Sequence, residues 1–131
     1  MESVQINWLG VLLAALSSFV IGGVWYSALF VKKWQKVTGL KESDLKKGMQ
    51  KVFIGSFLLS VVMAINLAFF IGDEGAGFGM LAGFAVGFGW IAAALGINYL
   101  FERKSFTHFV INAGYNVVTA TVMGLIIGSM Q

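Results

Sequence analysis

The chain has no cysteine and no proline, and only 11% of its 131 residues are charged. The absence of cysteine excludes disulfides, thiolate metal ligands and cysteine nucleophiles. A soluble domain carries about 25% charged and about 45–50% apolar residues. Here 58% of the residues are hydrophobic and the mean hydropathy is +0.84. A cytosolic enzyme, a nucleic-acid-binding domain and a disulfide-stapled secreted module are therefore excluded.

What the chain does have is four long apolar segments, residues 6–31, 52–71, 78–101 and 109–128. Because an α-helix rises about 1.5 Å per residue, about 20 apolar residues cross the hydrocarbon core of a bilayer. Every segment is long enough, and the piece between the first two is too short to bury a core of its own. The sequence predicts an all-α fold: a single polytopic membrane domain over residues 1–131, built as a bundle of four transmembrane helices.

The charges are divided between the two sides of this bundle. Of the nine basic residues, two are Arg103 and Lys104 between the third and fourth segments, and the others lie in residues 32–51. The opposite side carries only acids, such as Asp73 and Glu74. Since short basic connections stay in the cytoplasm, we expect both termini to be extracytoplasmic. The lysines of residues 32–51 are interpreted as topogenic, and attraction to anionic lipid is a second, compatible interpretation.

Small residues recur every four positions along the segments, a spacing typical of membrane helices whose backbones approach closely. The residues predicted to pack helices are Gly10, Ala14, Ser18 and Gly22 in the first segment, Gly79, Gly83 and Gly87 in the third, and Ala120, Gly124 and Gly128 in the fourth. Gly77, directly before the third segment, and Gly89 and Gly96 within it lie on other faces. We therefore expect one face to remain for a second copy or another membrane protein.

Polar residues inside the segments are uncharged. No Asp, Glu, Lys or Arg lies in any of them, which disfavours a proton-coupled transporter, because the coupling ion needs such a group. Counting depth from the basic side places a candidate polar cluster in one leaflet: Trp25, Tyr26, Ser27, Asn98, Tyr99, Asn112, Tyr115 and Asn116. Two interpretations are open. The cluster provides hydrogen bonds between helices, or it forms a cleft for a lipid head group or small amphiphile.

No catalytic, cofactor or metal site is predicted. His108 is the only histidine, and neither Asp nor Glu neighbours it closely in sequence, so it is interpreted as an interfacial residue. One histidine without cysteine is too few ligands for a metal. Ser17 and Ser18 have no base nearby in the chain. We expect no enzymatic activity, no cofactor and no nucleic-acid partner.

Several short motifs run along the chain: Asn-Trp-Leu at 7–9, Gly-Val-Trp-Tyr-Ser at 23–27, Gly-Leu at 39–40, Asp-Leu-Lys-Lys-Gly at 44–48, Ile-Asn-Tyr-Leu-Phe-Glu at 97–102 and Ile-Asn-Ala-Gly-Tyr at 111–115. Together they resemble the bacterial domain-of-unknown-function family 1761 over nearly the whole chain. The chain departs from the family pattern at Ala28, where members often have proline. The resemblance implies a four-helix bacterial membrane protein with no assigned activity, and we expect it to be a multi-pass protein of the inner membrane.

The sequence therefore favours a non-enzymatic structural or accessory membrane component. It would pack with itself, as a homo-oligomer, or with another membrane protein through glycine-rich helix faces. The alternative is a small homo-oligomeric channel, or an uncoupled transporter or binder of a neutral or amphiphilic solute or lipid. In that case the polar cluster would be its site.

Overall fold

The computed structural model of the chain describes residues 4–131. Within them, four helices are long and apolar enough to cross a membrane, and we call them the first to fourth spans: Trp8–Leu29, Met49–Ile71, Ala76–Phe101 and Phe106–Met130. The prediction of an all-α membrane fold with four spanning helices is confirmed. Hydropathy locates the spans well because the thickness of the bilayer sets the length of apolar chain that each needs.

Two of the spans are not α-helical throughout. In chain order the elements are α1 (Trp8–Val24), a first π-helical segment (Trp25–Leu29), α2 (Val31–Thr38), α3 (Glu42–Leu45), α4 (Met49–Ile71), α5 (Ala76–Val86), a second π-helical segment (Gly87–Ala92), α6 (Ala93–Phe101) and α7 (Phe106–Met130). A π-helical turn holds more residues than an α-helical turn, so it changes the face that the following residues present. The first such segment positions the site described below.

The basic connection, residues 32–51, is largely helical. It contains most of α2, all of α3 and the first turn of α4. Gly39, with φ 74°, ends α2, and Gly48, with φ 65°, precedes α4. Both are left-handed conformations that glycine adopts without steric cost. The two glycines divide the connection into short helices that lie at one end of the bundle.

The fourth span, α7, is at the centre of the bundle. It contacts the first, second and third spans. Its side chains Met123 and Ile127 are fully buried together with Ile71 of α4. Around them lies a core of small and branched residues that includes Ala14 of α1 and Ala82 of α5. This apolar core occupies the half of the bundle that is away from the basic connections.

The closest packing joins α5 to α7, where backbone lies against backbone. A Cβ atom built on Gly79 would collide with the carbonyl oxygen of Gly124, and one built on Gly83 with that of Ala120. A Cβ on Gly87 would lie 2.8 Å from the Cα of Val117. Real Cβ contacts are longer than this, so the approach of the two helices requires glycine at these positions.

The other small residues have different surroundings. Gly128 of α7 also lies against backbone, whereas a Cβ on Gly10 would be 3.4 Å from the Cβ of Met130. On the third span, Gly96 packs against the ring of Phe109, and Gly77 and Gly89 have open space beside them. The glycine-rich faces of the third and fourth spans thus meet each other inside this chain.

Side chains tie the helix ends together at the end opposite the basic connections. The Asn7 Nδ2 donates to the carbonyl oxygen of Met130 at 2.9 Å. The Gln131 Nε2 donates to the carbonyl oxygens of Ala68 at 3.1 Å and of Gly72 at 2.9 Å. The start of α1, the end of α4 and the end of α7 therefore lie together. We call this the terminal end of the bundle, and the other the basic end.

Candidate functional site

The amide of Asn112 in α7 is held from both sides. Its Oδ1 accepts a 2.7 Å hydrogen bond from the hydroxyl of Tyr26, in the first π-helical segment. Its Nδ2 donates a 2.8 Å bond to the hydroxyl oxygen of Tyr99, in α6. In a membrane interior, a polar group without a partner is costly, because no water is available to replace it. One carboxamide therefore links the first, third and fourth spans.

Trp25 precedes Tyr26 and also reaches α7. Its Nε1 donates a 2.8 Å hydrogen bond to the carbonyl oxygen of Ile111. The ring covers Gly114, where a Cβ would lie 2.9 Å from Cζ2 of the tryptophan. The π-helical segment thus brings two consecutive aromatic side chains to one neighbouring helix.

Tyr115 extends these contacts toward the middle of the bundle. Its ring centroid lies 5.3 Å from that of Tyr26, and its hydroxyl donates to the carbonyl oxygen of Ser18 at 2.9 Å. The Ser18 hydroxyl in turn shares a 2.9 Å hydrogen bond with the hydroxyl of Ser60 in α4. Polar contacts thus continue from the basic end to the second span.

Three members of the predicted cluster do not join it in this way. Ser27 and Asn98 are exposed and take no part in the Asn112 hydrogen bonds. The Asn116 Nδ2 donates at 2.8 Å to the carbonyl oxygen of Asn112, within its own helix. Depth counting does not specify rotation: Asn98 is adjacent to Tyr99, and successive helical residues point about 100° apart. The structure brings together Trp25, Tyr26, Tyr99, Asn112 and Tyr115, which we call the Asn112 cluster.

Other residues border this cluster that sequence reasoning did not place in it. The ring of Trp34 in α2 lies 5.1 Å from that of Tyr26. The ring of His108 is buried 5.0 Å from that of Tyr99. The spacing of His108 and Asn112, four residues apart on one helix, puts both on the same face and was the available signal. No comparable signal in the sequence pointed to Trp34.

Thr119 lies one turn beyond Tyr115 on α7. Its side chain is 4% exposed, and its Oγ1 has no hydrogen-bond partner within residues 4–131.

Among the described residues, no three His, Cys, Asp or Glu side chains are grouped so that they could hold a metal ion.

A second feature is a groove of about 510 Å³ on the surface between α4 and the third span. Asn66, Leu67 and Phe70 line one wall, and Ala82, Val86 and Trp90 line the other. The Asn66 Nδ2 donates at 2.8 Å to the carbonyl oxygen of Val62 in its own helix. No hydrogen bond to Asn66 Oδ1 is formed by residues 4–131, so this exposed amide keeps an acceptor free in an apolar groove. We call it the Asn66 groove.

Comparison with protein families finds one that covers almost all of these elements. The family described as a protein of unknown function, DUF1761, matches residues 9–128. The chain belongs to this family. The match includes the first π-helical segment, α6 and the beginning of α7, which hold the Asn112 cluster. Comparisons with the curated proteins and with the solved structures find no match.

Proposed function

We propose that this DUF1761 protein is a non-enzymatic structural component of the bacterial inner membrane that assembles with a second copy of itself through the Asn66 groove. The observation that carries the proposal is the exposed carboxamide of Asn66 within the apolar α4. Such a group is costly in lipid unless another chain completes its hydrogen bonds.

The chemistry of Asn66 supports a second copy as the occupant. A carboxamide has both a donor and an acceptor. In a twofold-symmetric dimer a residue at the axis meets its own counterpart, so with the axis at Asn66 the two amides would satisfy each other. Hydrogen bonds of this kind between membrane helices contribute about 0.6–2 kcal/mol.

The shape of the surface supports the same location. The glycines of α5 that approach a neighbour most closely, Gly79 and Gly83, already face α7. The surface of the third span that remains for assembly is therefore its other side. There the Trp90 side chain is 78% exposed, and Gly89 beside it has open space. A large ring next to a small-residue recess is a favourable shape for close helix contact.

The Asn112 cluster supports a structural role more than transport. Tyr26 and Tyr99 occupy both ends of the Asn112 amide, so a solute would have to displace them. The alternative is a channel, or an uncoupled transporter or binder of a neutral or amphiphilic solute or lipid. Within the described chain, the buried hydroxyl of Thr119 next to Tyr115 would be a group for such a solute to contact, but only if the bundle opened beside it.

For orientation, we propose that the basic end faces the cytoplasm and both termini lie outside. The nine basic residues of the chain support this, because all belong to the two connections at that end. The lysines of residues 32–51 would also be attracted to the negative surface of the bilayer there, without holding an individual lipid molecule.

The test is the oligomeric state of the full chain in vesicles and by native mass spectrometry. We expect a dimer, and we expect Asn66→Leu to raise its dissociation constant by about 3–30-fold, the equivalent of about 0.6–2 kcal/mol for an interhelical hydrogen bond. The matched control is Asn98→Leu, which removes an exposed amide from α6, outside the groove. We expect it to leave the dissociation constant within about twofold.

Two results would overturn self-assembly through this groove. One is a monomeric wild-type protein at high protein-to-lipid ratio. The other is equal weakening by the two asparagine substitutions. Extraction at fixed stoichiometry with a different protein would make the chain an accessory subunit instead.

A further inference from the structure

The turn between α6 and α7 places an arginine where the backbone favours glycine. Arg103 has φ 57°, a left-handed conformation that is uncommon for a residue with a side chain. The Lys104 N–H donates to the carbonyl oxygen of Tyr99 at 2.9 Å, and the Arg103 N–H to that of Leu100 at 3.3 Å. This pair of bonds is the Schellman ending of a helix, whose left-handed position is usually occupied by glycine. Backbone geometry alone therefore does not account for an arginine here.

An open groove of about 610 Å³ lies beside Arg103. Its other lining residues are Ile97, Leu100 and Phe101, which share one face of α6 because they are spaced by three and four residues. They are 57%, 78% and 76% exposed. The groove thus has an apolar wall on the third span and a cation where that span ends.

The guanidinium of Arg103 keeps donors available for an anion. Its Nη1 donates to the carbonyl oxygen of Phe101 at 2.7 Å. A guanidinium carries five N–H donors in a planar fork that fits two phosphate oxygens at once.

Within residues 4–131, the neighbouring charges leave the Arg103 guanidinium without an acidic partner. The carboxylate of Glu102 lies 3.6 Å from the Nζ of Lys104, and the same Nζ lies 4.7 Å from the ring centroid of Tyr99. The nearby acid is therefore paired with the lysine.

We propose that this groove binds one anionic glycerophospholipid. Its phosphate would contact the guanidinium of Arg103, and one acyl chain would lie along Ile97, Leu100 and Phe101. Charge complementarity selects the anionic head group, and the exposed apolar wall selects the acyl chain. The position of the groove along the bilayer normal also fits. Phe101 ends the third span, which places Arg103 at the level where the phosphates of a bilayer lie. A free phosphate ion would contact the guanidinium of Arg103 but would leave the apolar wall uncovered.

The experiment titrates the full chain in detergent with phosphatidylglycerol and counts bound lipid by native mass spectrometry. Arg103→Gly removes the guanidinium and suits the left-handed backbone. We expect it to weaken phosphatidylglycerol binding about fivefold, which is the attraction of one basic residue to an anionic lipid. We expect phosphatidylcholine binding to be unchanged. Lys46→Gln is the matched control, because it removes one exposed positive charge from the basic connection, and its effect should stay below twofold.

Three results would overturn the proposal. The first is unchanged phosphatidylglycerol binding by Arg103→Gly. The second is equal weakening by Lys46→Gln, which would mean that the basic connection attracts the lipid. The third is displacement of the lipid by millimolar inorganic phosphate, which would mean that the apolar wall plays no part. A thermal melt shows whether Arg103→Gly folds, and we expect its melting temperature to be no lower than that of the wild type.

Discussion

The hydroxyl of Tyr26 donates a 2.7 Å hydrogen bond to the side-chain oxygen of Asn112, across 86 residues of sequence. The nitrogen of the same amide donates to the hydroxyl oxygen of Tyr99. Each tyrosine takes its hydrogen bond at this depth from the same amide, so this one residue of α7, together with the contacts of Trp25 and of the α5 glycines, sets the rotation of the first and third spans about their axes.

Replacing Asn112 should therefore destabilise the bundle. Asn112→Leu leaves the hydroxyls of Tyr26 and Tyr99 without their partner, and we expect a loss of about 1–2 kcal/mol in the free energy of unfolding. Unfolding in mixed micelles measures it. Asn98→Leu is the control, because this exposed amide of α6 takes no part in the cluster, and we expect a change within about 0.5 kcal/mol. Equal losses would contradict the role given to Asn112.

The contact between α5 and α7 should tolerate no added methyl group. We expect Gly83→Ala to destabilise by about 1–3 kcal/mol, because its Cβ would meet the carbonyl oxygen of Ala120 and force the helices apart. Gly77→Ala on the same helix faces open space and should stabilise by about 0.5–1 kcal/mol through helix propensity. The same unfolding assay measures both. A Gly83→Ala protein as stable as Gly77→Ala would show that the helices have room to separate.

Trp25 and Gly114 should be coupled. Gly114→Ala places a methyl group 2.9 Å from the tryptophan ring, and Trp25→Leu removes that ring. A double-mutant cycle on the free energy of unfolding should give a coupling of about 1 kcal/mol, with alanine tolerated better in the leucine background. The gain in helix propensity is common to both backgrounds and cancels. Additive effects would mean that the ring moves away from Gly114 freely.

The absence of cysteine gives a clean test of orientation. We expect Asp73→Cys, between α4 and α5, to react with a membrane-impermeant maleimide added to intact cells. Lys46→Cys, in the basic connection, should react only after the membrane is permeabilised. Labelling in the opposite order would place the basic end outside and overturn the proposed orientation.

The four spans could be predicted from this sequence because hydropathy gives the length of each apolar segment, and the thickness of the bilayer sets the length that a spanning helix needs. The rotation of each helix about its own axis could not be predicted in this way. Asn98 and Tyr99 lie at nearly the same depth, yet only the tyrosine reaches Asn112. No periodicity in so uniformly apolar a segment separates the face toward α7 from the face toward lipid. The side of each helix is decided by contacts with other helices.

The π-helical segments were also beyond sequence reasoning. The first, Trp25–Leu29, contains no proline or glycine that would predict an irregular helix there. Its side-chain contacts lie far away in the chain: Trp25 bonds to Ile111, and Tyr26 to Asn112. A backbone irregularity accompanied by such distant contacts leaves no mark on local propensity.

The interface between α5 and α7 consists of main chain on both sides at Gly79 and Gly124. Backbone atoms cannot relieve a steric clash by changing rotamer, as side chains can. The two helices therefore either pack in register or separate. We therefore expect the contact between α5 and α7 to be either fully formed or absent. Arrangements in which the two helices are partly separated should be scarcely populated in this half of the molecule.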